Sequence, residues 1–206
     1  MNDSGYWSMS YNPRYGRGWW LSDLLDSDGL HIDARVFGRG ERLARPGGLT
    51  LPLYPFGQQQ CQPRLPLWTA IQRPGRATDL SLGDSGAPVV SGRLGEVFRE
   101  HAAGDIELLP LAIGEGSDPD HFVLNIARLI DAIDRERSTI DYWLDHPLPE
   151  MVGKPVYVSK LLIRADAAAG VACFRPSDWS GTLIVSSDLM EAIHGLAAPE
   201  IEFEQV

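Results

Sequence analysis

The sequence predicts an α+β fold: a single domain with a mixed or mainly antiparallel sheet, two or three short helices and an irregular N-terminal annex. Three observations predict it. Short apolar runs bounded by glycine, proline and aspartate recur along the chain, as strands between turns do. In three places, after Ser91, from Ile126 and near Ser187, the apolar spacing switches to that of a helix. Residues 1–64 carry aromatics, arginines and glycines without a sustained period, so they read as the annex, and residues 65–206 read as the main body.

Within the annex, Trp19, Trp20 and Leu21 follow a Gly-Arg-Gly turn, and the tryptophans are expected to cover an edge of the sheet. His31, Ile32, Val36 and Phe37 form patches too short to show a period. Leu65–Ile71 reads as a strand ended by the Arg73-Pro74-Gly75 turn. Val89 and Val90 lead into a Ser91 cap, after which Leu94, Val97, Phe98 and His101 fall on one helix face. Beyond Gly104, Ile106–Leu111 and Phe122–Leu124 read as strands. Ile126, Leu129, Ile130 and Ile133, with Arg128, Asp131, Asp134 and Arg135 between them, favour a helix over a longer strand.

Pro147 and Pro149 mark an extended connector, and Val156, Val158, Leu161 and Leu162 suggest another strand. Asp166–Gly170 reads as a turn or short helix. Leu183–Val185 is a strand, with Ser187 or Asp188 as the cap of a helix whose buried stripe is Leu189, Met190, Ile193 and Leu196. Glu191, three residues after Asp188, completes a capping box, and Pro199 ends the helix. In the last strand Ile201 and Phe203 alternate with Glu200, Glu202 and Glu204, which puts three carboxylates on one face. Such a row is either protection of a strand edge or a contact surface for a basic partner. No period of 20 to 50 residues recurs, which excludes a repeat architecture.

An apolar content of 44% with six tryptophans excludes disorder. No run approaches the roughly 18 apolar residues of a membrane helix, and MNDSGYWSMSYNPR lacks a charged start followed by an apolar core, so a cytoplasmic location and no membrane partner are expected. Cys61 and Cys173 fit no metal spacing and read as two buried thiols. Charge is uneven. Residues 1–100 carry 11 Arg against 10 acids, whereas residues 101–206 carry 7 basic groups against 18 acids. The acidic half repels nucleic acid and attracts a basic protein over distance.

Gly83-Asp84-Ser85-Gly86-Ala87-Pro88 looks like the nucleophile loop of chymotrypsin-like proteases. The chemistry needs a histidine base and an orienting aspartate. The only histidine before Ser85 is His31, too few residues precede the serine for that fold, and Ala87 replaces a glycine. The segment reads instead as a turn, with a Ser85 hydrolase as the alternative enzyme and a scaffold or ligand-binding domain as the alternative binder. Arg35, Arg39, Arg42 and Arg45 lie among glycines, but Leu43 breaks the dinucleotide pattern, leaving a solvated loop. His101, His121, His146 and His194 lack zinc spacing, and no cofactor is expected.

The order of these pieces resembles immunity protein family 11 of the bacterial polymorphic toxin systems. The matching residues are Asp84–Ser91, Glu107–Leu111, Leu124–Ser138, the Phe174-Arg175 pair, Ile184–Ile193 and the strand Ile201–Phe203, within residues 65–206. The resemblance implies a protein that binds and silences a toxin domain of its own cell or kin, without catalysis. From charge and position, the expected contacts are Asp131, Asp134, Asp141, Trp143, Asp145, Glu200, Glu202 and Glu204. An acidic inhibitor suits a basic nuclease, and equally a deaminase or ribosyltransferase.

Overall fold

The computed structural model describes residues 5–16, 18–45, 48–49, 51–52, 60–61, 65–82, 86–114 and 117–206. In chain order its strands are β1 (Tyr6–Tyr11), β2 (Trp20–Leu21), β3 (Ala44–Arg45), β4 (Gly48–Leu49), β5 (Leu51–Pro52), β6 (Gln60–Cys61), β7 (Leu67–Thr69), β8 (Ile71–Arg73) and β9 (Leu80–Ser81). They continue with β10 (Val89–Ser91), β11 (Ile106–Ile113), β12 (His121–Ile126), β13 (Leu129–Ile130), β14 (Thr139–Tyr142), β15 (Pro155–Lys160), β16 (Cys173–Pro176), β17 (Leu183–Ser186) and β18 (Ile201–Gln205). The helices are α1 (Gly92–Ala102) and α2 (Ser187–His194).

The α+β class holds, with more strands than the sequence suggests. There are two five-stranded sheets, ordered β7-β11-β12-β10-β9 and β13-β16-β17-β1-β18. Pairing is antiparallel except where β7 joins β11 and β13 joins β16. Both helices follow a strand through a serine cap: Ser91 Oγ accepts the Leu94 N–H at 3.3 Å, and Ser186 Oγ accepts the Leu189 N–H at 3.4 Å. Their apolar faces fill the space between the sheets. There Leu94, Phe98, Leu189 and Ile193 meet Val90, Leu124, Met9, Cys173 and Val185. The outer face of the first sheet is covered by Leu21, Leu24, Val36, Phe37 and Leu43, and that of the second by Ala132, Ile163 and Ala168.

The two halves of this arrangement are copies in structure. Ser91, Leu94, Phe98, Ala102, Ala103 and Ile106 recur as Ser186, Leu189, Ile193, Ala197, Ala198 and Ile201, each 95 positions later. The registers agree residue by residue. Ser91 faces His121 and Ser186 faces Tyr6; Ile106 faces Ile126 and Ile201 faces Tyr11; Val90 faces Leu80 and Val185 faces Cys173. Thus β9, β10, β12 and β11 correspond to β16, β17, β1 and β18. The spacing lies outside the 20-to-50-residue window in which the sequence excludes a repeat, so this twofold internal correspondence is an addition to that reading.

Several other expectations are corrected. Strand β1 lies between β17 and β18 inside a sheet, so the annex expected over residues 1–64 contributes a structural strand. The helix expected from Ile126 is absent: β12 runs to Ile126, β13 follows, and Ile133 bridges Ile163. Lateral pairing claims the backbone there, since the Arg128 and Ile130 carbonyls accept the Arg175 and Ser177 N–H groups at 3.0 Å each. Isoleucine favours that extended state. The α2 cap is Ser186, one residue before those expected, and Asp188 lies in the first turn. The Leu65–Ile71 strand is two strands broken at Ala70, one pairing with β11 and the other with β2. Cys173 is a buried free thiol whose pKa burial pushes up; the Cys61 side chain and the Gly83-Asp84-Ser85 turn lie outside the described residues.

Candidate partner-binding surface

Strands β14 and β15 form a ribbon that joins neither five-stranded sheet. Its register shifts at Thr139/Ile140 and Asp141/Tyr142, and such bulges twist a ribbon and resist edge pairing. The base is fastened by Ser138, whose Oγ accepts the Leu162 N–H at 3.0 Å. Higher up, the Trp143 N–H donates to the Lys154 carbonyl at 3.0 Å and the Gly153 N–H to the Trp143 carbonyl at 2.8 Å. These bonds hold the connection, with its Pro149–Met151 turn, against the strands.

Ribbon and connection carry exposed apolar side chains. Of the ten large apolar residues exposed among the described residues, six lie here: Tyr142, Leu144, Leu148, Val152, Val156 and Tyr157. Leu144 is 91% exposed. Scattered exposed apolar residues need no explanation, but a concentration on one element makes that element a candidate interaction surface. Asp141 and Asp145 are exposed beside them, and Trp143 is half-buried with its ring against that of His146, centroids 4.9 Å apart.

The expected contact residues therefore divide. Asp141, Trp143 and Asp145 come together on this ribbon. Asp131 pairs with Arg135 at 2.9 Å, and Arg135 also grips Asp178; first the Asp178 bond and then the Asp131 bond hold the guanidinium above its usual pKa range. Asp134 caps a turn, its Oδ1 accepting the Glu136 and Arg137 N–H groups at 3.2 and 3.1 Å. Glu202 and Glu204 are exposed on β18, but Glu200 is only 2% exposed and its carboxylate is turned inward, which corrects the row of three. The alternation put Glu200 on their face, but it precedes the strand and serves the core instead. Charge-based reasoning did not single out the exposed Leu144, Leu148, Val152 and Tyr157; their signal was a run of apolar residues interrupted by Pro147 and Pro149, too broken to be core.

Among the described residues, no group of three or more His, Cys, Asp or Glu side chains is arranged to hold a metal ion, and no helix is long and apolar enough to cross a membrane. Comparison with curated proteins gives no match. The sequence model of the immunity protein family (Imm11) matches residues 24–206, most of the chain and both structural copies except β1; this protein belongs to that family.

Proposed function

We propose that this protein neutralises a cognate toxin of a polymorphic system by binding and occluding it, without turnover, in the cytoplasm. The observation that carries the reading is the gathering of exposed apolar side chains on the 139–160 ribbon, in a chain of an immunity family. Tyr142, Trp143, Leu144 and Tyr157 are the anchors, since interface energy concentrates in buried aromatics and apolar side chains. Asp141 and Asp145 form an acidic rim, and with Glu202 and Glu204 they steer a basic toxin domain toward the ribbon. A net charge of −10 opposes nucleic acid as the partner.

The test is co-expression with the product of the gene immediately upstream, scored by survival and by co-purification. Rescue with a stable complex supports the reading. A toxic upstream product that this chain neither rescues nor binds overturns it.

A further inference from the structure

Arg175 breaks the internal symmetry. It lies two residues after Cys173 in β16, and the register that matches Cys173 to Leu80 makes Leu82 its counterpart in the other half. A leucine serves that place in the first sheet, so the repeated strand does not require a guanidinium. Yet Arg175 is only 7% exposed. Its Nη1 donates to the Ser180 carbonyl at 2.5 Å, its buried Nε has no hydrogen-bond partner, and no carboxylate pairs with it among the described residues. Burial lowers its pKa. A buried cation with no counter-ion among the described residues is costly, and a fold that retains one leaves room for an anion.

The room is present. Arg175 and Ser180 line a cavity of about 450 Å³ between the two sheets, within the range of small-molecule sites. The remaining wall is chiefly apolar, including Met9, Phe37, Leu80 and Leu183, with Tyr11 and Ser10 adding polar groups. Arg35 also reaches the wall, but its guanidinium clasps Asp33 through Nε at 2.8 Å and Nη2 at 2.6 Å.

We propose that this cavity is a binding site for a small monocarboxylate with an apolar body, its carboxylate held by Arg175. One guanidinium with no carboxylate partner among the described residues matches one negative charge, and apolar walls match a hydrocarbon or aromatic body. The net charge of −10 disfavours polyanions. This site is separate from the ribbon, so it stands or falls independently of toxin binding.

The test is calorimetric titration of the full chain with 3-phenylpropanoate and octanoate, against 3-phenylpropanamide as the uncharged control. Saturable binding of a carboxylate, with the amide at least about tenfold weaker, is expected. Arg175→Gln loses at least about tenfold in affinity, and so does Leu183→Trp, which fills the cavity and leaves the guanidinium in place. Without ligand, Arg175→Gln is no less stable to urea than the native chain. Equal binding of acid and amide, full affinity in Arg175→Gln, or no saturable binding of either carboxylate to the native chain up to about 10 mM overturns the proposal. The acid-against-amide comparison uses the native chain, so it decides even if a variant fails to fold.

Discussion

Asp105 and Glu200 are counterparts, each standing before the strand that follows its helix and reaching across to the other half. The Asp105 carboxylate accepts the Ala172 and Cys173 N–H groups at 2.9 and 3.3 Å; the Glu200 carboxylate accepts the Asp79 and Leu80 N–H groups at 2.5 and 3.4 Å. By register Ala172 matches Asp79 and Cys173 matches Leu80, so the two bridges are the same contact made twice. They tie the first residues of β9 and β16 to the opposite sheet. Two sheets that share a helical core are thereby also tied directly to each other.

Removing either bridge leaves buried amides unpaired. Asp105→Ala and Glu200→Ala are each expected to cost about 1–3 kcal/mol, while Glu202→Ala and Glu204→Ala, on the exposed face of β18, change stability by less than about 0.5 kcal/mol. Urea denaturation of the four variants measures this. Equal effects at positions 200, 202 and 204 would restore the carboxylate row that alternation suggests.

Acid stability follows from Asp79 and Asp33. Burial alone would raise the Asp79 pKa, but the Arg93 guanidinium and the Ser91 hydroxyl at 2.6 Å outweigh it and bring it below its ordinary 3.8. Asp33 is lowered likewise, chiefly by its bond from Arg35. A lowered carboxyl stabilises fully above its unfolded pKa and loses that contribution as pH falls through the folded value. Stability is therefore expected to drop below about pH 4. In Asp79→Asn that drop is shallower, and denaturation midpoints taken from pH 6 down to pH 2 show whether it is.

On the ribbon, Leu144→Asp and Tyr157→Asp are expected to weaken toxin binding by at least about tenfold while leaving the urea midpoint unchanged, since both side chains are exposed in the free protein. Titration against the purified toxin domain, in an inactive form, provides the measurement. Unchanged affinity in both would move the interface elsewhere.

Steering is a separate effect with its own signature. Replacing Asp141, Asp145, Glu202 and Glu204 by Asn or Gln is expected to slow toxin association about tenfold at low salt and to flatten its dependence on ionic strength, with little change in dissociation. Stopped-flow mixing at two salt concentrations separates the rates. An association rate unaffected by the four changes removes the steering role.

Part of the proposed surface coincides with residues that the sequence singles out, because Asp141, Trp143 and Asp145 combine charge and an aromatic in one stretch beside two prolines. The inward turn of Glu200 was not, because alternation along a strand says which residues share a face and nothing about a residue just before the strand begins. Nor was the burial of Arg175, since arginine in a short apolar strand looks the same whether its side chain meets water or a cavity between sheets.

The sequence by itself determined the local pieces: the Ser91 cap, the stripes of Leu94 and Phe98 and of Leu189 and Ile193, the strands after each helix, and the acidic balance. These depend on near neighbours and on side-chain chemistry, so spacing carries them. Tertiary structure alone decided that β1 inserts between β17 and β18, that residues 126–133 extend instead of coiling, and that the two halves bridge through Asp105 and Glu200. Those choices depend on which distant backbone claims each N–H and C=O group, and a strand that pairs across 180 residues leaves no mark in its own periodicity.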